Sequence, residues 1–175
     1  MSIFRAFLSS ERAAAAVEMA LILPFAIVLL FGSVEMGYFF YTQHQVVKGV
    51  RDGARYASRQ NFGYFSCAST SLQDPGGTYA SGASMTTTIK NVTRTGRTSG
   101  GTSRVPGWVD GDITVTVSCP PSGQEVDTGI YEGKTNAPQV NVAAVVAYPS
   151  LFGGIGALDS NYNLRANQQS AVMGI

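Results

Sequence analysis

Histidine and tryptophan are almost missing from this chain, which has one of each, His44 and Trp108, in 175 residues. His44 falls where the apolar helix pattern ends, so a Ser-His-Asp or Cys-His constellation elsewhere in the chain would lack its base. The sequence also has no G-x-S-x-G, no phosphate-binding loop and no H-E-x-x-H. Asp159, Asn161 and Asn163 imitate the opening of a calcium loop, but Leu164 stands where glycine is required and Ser170 where the bidentate glutamate belongs. Charge is sparse at 13 %, and a formal net charge of +1 gives no general electrostatic reason to bind nucleic acid. No cofactor, metal or small-molecule substrate is expected.

Cysteine is scarce as well. Cys67 and Cys119 are the only two. Both lie beyond the apolar N-terminal stretch, and in an oxidising compartment they allow a single disulfide. Closing about fifty residues would contribute roughly 3 to 4 kcal/mol in the chain-entropy model. Two separately buried thiols are the other reading. With His44 they do not complete a usual four-ligand zinc set.

What the sequence does have is a long apolar run, RAAAAVEMALILPFAIVLLFGSVEMGYFF, with no charge from Met19 to Val34 and one carboxylate, Glu18, just inside its entrance. As one helix, Ala14 to Tyr41 would extend ~42 Å at 1.5 Å per residue, more than the ~30 Å of a bilayer's hydrocarbon core. An acidic side chain at mid-membrane costs roughly 2.5 to 3.5 kcal/mol, and such residues usually mark function. Pro24 frees the Ala20 carbonyl, a loss that membrane helices tolerate, and predicts a kink near Ala20 to Pro24. A removable secretory signal fits poorly, because the stretch is long, holds Glu18 and Pro24, and runs into VEMGYFFYTQ instead of a small-x-small site.

Over about Arg12 to Arg59 the sequence resembles the membrane anchor of TadE-like proteins, the minor pilins or pseudopilins of the Tad (Flp-type) pilus assembly system. In that family a basic leader ends at a small residue, followed by four small or apolar residues, a glutamate and an aromatic. Here Ala13 takes the position before the cut, Ala14 to Val17 follow, and Glu18 becomes the fifth residue of the mature chain. Ala13 replaces the family's usual glycine, and Met19 its usual Phe or Tyr. The later segment FGSVEMGYFFYTQHQVVKGVRDGARYAS, with Glu35, is also similar to the family. The resemblance implies cleavage by a prepilin peptidase between Ala13 and Ala14, and a Glu18 that pairs charge during assembly. The partners it implies are the inner membrane, other pilins and pilus assembly platform proteins.

Arg5 and Arg12 favour a cytoplasmic N-terminus, but Lys48, Arg51, Arg55 and Arg59 follow the apolar run closely, so the positive-inside count alone does not orient it. The cysteines and the resemblance place the N-terminus inside and the rest outside the inner membrane.

The expected organisation is a leader at 1–13, a transmembrane helix at 14–41, an amphipathic extension at 42–60 and a β-rich head at 61–175. In the extension Val46, Val47, Val50, Ala54 and Ala57 share one stripe, and Lys48, Asp52, Arg55 and Arg59 another. Gly49, Gly53 and Ala57 recur every four residues, a ridge over which another backbone can approach closely. The alternative is a helix merely weakened by glycine. Beyond Asn61 come glycine-rich turns, Asp74-Pro75-Gly76-Gly77 among them, and four expected strands. These are Ser84 to Val92, Asp112 to Cys119, Gln139 to Tyr148 and, more weakly, Asn161 to Met173. The second alternates cleanly, and the third is apolar on both faces around Ala143 to Val146, which suits either a central strand or one lying against the helix. A long loop, TGRTSGGTSRVPGWVDG, carries Trp108, read either as a partner contact or as an aromatic folded back on the sheet. The fold class is α+β, a long helix with a small antiparallel sheet in a pilin-like plan.

Three functions compete. The first is a TadE-like minor pilin or pseudopilin. The second is a membrane-tethered binding module using loops around Trp108 or Phe152. The third is an enzyme with a carboxylate-only site among Asp110, Asp112, Glu125, Asp127 and Glu132, residues in turn-like segments without other catalytic signals.

Overall fold

The computed structural model describes residues 11–67, 71–72, 84–119, 129–133, 136–153 and 162–174. The Asp74–Gly77 turn, Glu125, Asp127, Asp159 and Asn161 lie outside them. Two compact units divide the chain, residues 1–39 and 40–175. One helix, α1 (Glu11–Ser58), contributes to both.

Within the first unit α1 is apolar on every side, and Leu21, Phe25, Val28 and Leu29 are all exposed. Pro24 sits inside the helix without ending it. A helix hydrophobic all round has no water-facing side, which suits a lipid environment. Its most apolar window has a mean hydropathy of 2.3 with no residue buried, and by length and composition it can cross a membrane.

The second unit begins with the remainder of α1, followed by β1 (Phe65–Ser66), β2 (Ser71–Leu72), α2 (Met85–Thr95), β3 (Ile113–Ser118), β4 (Gln139–Ala147) and β5 (Asn163–Ala171). β1 and β2 form a minimal antiparallel pair, while β3, β4 and β5 form a three-stranded antiparallel sheet with β4 in the centre. β4 therefore has neighbours on both sides, in keeping with its apolar content. Its even-numbered residues Val140, Val142, Ala144 and Val146 are buried, as are Ile113 and Val117 of β3 and Leu164 of β5. The other face carries Thr114, Thr116, Asn167 and Gln169. This is the period-two pattern of a sheet with one covered face. From the helices the core receives Val46, Val50, Ala54, Ala57, Met85, Ile89 and Val92.

Residues 84–92, expected as a strand, form the start of α2 instead. Three successive threonines give this segment high β-propensity, but the apolar residues Met85, Ile89 and Val92 follow a helical period and are all buried. Tertiary packing of that stripe outweighs the propensity. Both ends are capped. The Thr87 N–H donates to Ser84 Oγ at 3.2 Å, and Gly96, at φ 80°, donates its N–H to the Val92 carbonyl at 2.8 Å. The sheet thus has three strands where about four were expected, and the class remains α+β.

Candidate functional site

Ala13 and Ala14 lie in the first turns of α1. Glu18 is one helical turn beyond Ala14 and exposed among exposed apolar residues. Position i+4 places it on the same helix face as Ala14. Glu35 is buried.

Gly49 and Gly53 stand where α1 meets α2 and the loop that follows it. A Cβ at Gly53 would collide with Thr93 Oγ1, and one at Gly49 would collide with the Thr93 carbonyl oxygen and come within 2.7 Å of Trp108 Cη2. Thr93 is itself fully buried, and its hydroxyl donates to the Ile89 carbonyl at 2.8 Å. The absence of side chains on α1 is what lets the second helix lie this close. Ala57, one turn further, is fully buried.

The loop after α2 is pinned by polar contacts. The Arg104 guanidinium bonds Asp52 of α1 at 2.7 Å, and Arg94 bonds Asp110 at 2.9 Å. Asn91 Nδ2 donates to the Arg97 and Gly100 carbonyls at 2.9 and 3.0 Å. These contacts carry Trp108 into the core, where it is 1 % exposed against Gly49. An indole that deep is unavailable to a partner, so the reading of Trp108 as a contact anchor is overturned. The other reading, an aromatic folded back into the fold, holds, with the helix ridge at Gly49 as a surface that it meets.

The carboxylates proposed for catalysis are occupied differently. Asp110 holds Arg94, and Asp112 accepts the Val109 N–H at 3.0 Å, both bracing the approach to β3. Glu132 and His44 are exposed. Asn163 opens β5 and Leu164 is buried, so the calcium-like spacing continues into a strand. Among the described residues no group of three His, Cys, Asp or Glu is placed to hold a metal.

Cys67 and Cys119 are joined by a disulfide with Cα atoms 5.5 Å apart, linking the segment after α1 to the end of β3. Tyr131 makes a further tie. Its hydroxyl donates to the Val172 carbonyl at 2.7 Å, and its ring meets Phe62 edge-on at 5.9 Å. Burial raises the Tyr131 pKa above the ordinary tyrosine value.

These features define a class: an α+β protein whose N-terminal helix is apolar and long enough to cross a membrane, with a small disulfide-linked sheet unit after it. Residues 13–55 match the family model for TadE-like proteins, so the chain carries a TadE-like segment across the apolar helix and part of its extension. Nothing among curated proteins or solved structures matches the chain.

Proposed function

We propose that this chain is a minor pilin or pseudopilin of a Tad (Flp-type) pilus or a related secretion apparatus. The observation that carries the proposal is one helix with exposed apolar residues on all sides and a carboxylate at Glu18, coincident with the TadE-like match. Residues 14–41 span the inner membrane with the N-terminus cytoplasmic, 42–60 extend the helix outside, and 61–175 form the extracytoplasmic head. The disulfide between Cys67 and Cys119 supports an oxidising location for that head.

In this reading a prepilin peptidase removes residues 1–13 and exposes an ammonium at Ala14. Glu18 then has two possible partners, this ammonium one turn away or that of a neighbouring subunit. Low dielectric strengthens either pairing, and a partner's ammonium would set the axial register between helices. The role is structural, and the protein acts with other pilins and the assembly platform.

Mass analysis of the membrane-extracted protein, with and without a co-expressed prepilin peptidase, tests this function. Loss of residues 1–13 with the anchor retained is expected only when the peptidase is active. Full-length protein beside an active peptidase would count against it, and loss of the whole apolar helix would indicate a secretory signal.

A further inference from the structure

The outer edge of β5 and the cleft beside it have chemistry that the membrane helix does not use. Two backbone bonds bracket the strand, Tyr148 N–H to the Tyr162 carbonyl at 2.8 Å and Val172 N–H to the Pro138 carbonyl at 2.9 Å. Backbone groups alternate along an antiparallel ladder. Even-numbered β5 residues therefore bond β4, and Arg165, Asn167, Gln169 and Ala171 direct their N–H and C=O groups away from it. In agreement, the Arg165 carbonyl accepts from Gln43 Nε2 at 2.9 Å, and Met173 N–H donates to the Ser58 carbonyl at 2.6 Å.

α1 thus clamps both ends of this edge and leaves its middle open. From Asn167 to Ala171 the Gln169 carbonyl accepts from its neighbour Gln168 at 2.9 Å, and the other outward groups have no partner among the described residues. Beside them lies a cleft of about 300 Å³ lined by Arg51, Ala54, Arg55, Gln168 and Ser170. Arg51 and Arg55 are exposed and have no carboxylate partner among the described residues, because the acid between them, Asp52, is held by Arg104.

We propose that this edge receives a short extended segment of a partner protein, added as a strand beside β5, with two carboxylates held by Arg51 and Arg55. The spacing supports an acidic-x-acidic pattern. Side chains at i and i+4 of a helix start about 6 Å apart. Those at i and i+2 of a strand, which share a face, are about 7 Å apart. Backbone pairing gives such a complex its affinity, and the arginines give it selectivity. The inference does not depend on the pilin reading.

Arginines beside an open edge have a second known use, which is to prevent edge-to-edge association. The two roles predict opposite results. The probe is the fluorescein-labelled peptide Thr-Glu-Val-Glu-Thr, titrated into full-length protein in detergent and followed by anisotropy, with a Lys-for-Glu version as control. At least tenfold tighter binding of the Glu peptide is expected. Arg51→Ala with Arg55→Ala should remove that preference. Gln169→Pro deletes one outward N–H without touching the β4 ladder, and should weaken binding at least tenfold. Two peptides N-methylated at alternate residues, one blocking each strand edge, should differ, with only one losing affinity. They test the wild-type protein, so the outcome does not depend on how a variant folds. Equal binding by both N-methylated peptides would reduce the cleft to a polyanion patch. Self-association of the arginine variants would make the arginines edge guards, and no binding of the Glu peptide at millimolar concentration would end the proposal.

Discussion

Replacing Gly53 by alanine sets two physical effects against each other. Helix propensity alone favours the change by about 1 kcal/mol, since glycine is the poorer helix former. The packing predicts the opposite sign. The new methyl would overlap Thr93 Oγ1, with Thr93 Cβ at 3.2 Å and the Ile89 carbonyl at 3.6 Å behind it, so α1 and α2 must separate or Thr93 must leave its rotamer and its bond to Ile89. Overpacking of this kind costs about 1 to 3 kcal/mol. The overlap is deep enough to place the cost in the upper half of that range, so net destabilisation of about 1 to 2 kcal/mol is expected after the propensity gain, a drop of roughly 3 to 6 °C in Tm for a unit of this size. Trp108, the only tryptophan and buried against the same ridge, reports the transition through its fluorescence. Thr93→Ala should rescue Gly53→Ala, giving a favourable coupling of at least about 1 kcal/mol in a double-mutant cycle. It should rescue Gly49→Ala far less, because there the obstacles are a backbone carbonyl and the indole. A stabilised Gly53→Ala, or additive Gly53 and Thr93 variants, would refute the reasoning.

Under the proposed pilin role, Glu18→Ala should leave insertion and head folding intact, since it removes an insertion penalty, while impairing assembly; normal partner cross-linking and pilus formation in the mutant would reduce Glu18 to a locally satisfied charge. Replacing Cys67 and Cys119 together by serine should cost about 4 kcal/mol by the chain-entropy estimate for the loop they close, measured by denaturant unfolding of non-reduced protein. Two readily alkylated thiols in natively exported, unreduced protein would contradict the bond. The Tyr131 pKa is raised on folding, so its contribution is fully present below the unfolded value near 10 and is lost as pH rises through the folded value. Thermal melts should therefore fall more steeply above pH ~10 in wild type than in Tyr131→Phe, and equal slopes would remove Tyr131 as the cause.

The sequence by itself determined the features that depend on neighbours along the chain. An apolar run longer than a bilayer's core is legible as composition, and the alternation at Ile113 to Ser118 is legible as a period of two. At 84–95 the local signals conflicted. The threonines suggested a strand, yet Ser84, Gly96 and the spacing of Met85, Ile89 and Val92 already spelled a capped helix, and the period was the better guide. The ridge of Gly49, Gly53 and Ala57 was visible as a pattern, but not what meets it. Only tertiary structure brought Thr93 and Trp108 against those glycines, joined Arg104 to Asp52 and left Arg51 and Arg55 beside an open strand edge. Backbone periodicity is set by steric and solvation preferences over a few residues. The choice of distant partners depends on which surfaces fit once the chain has folded back on itself.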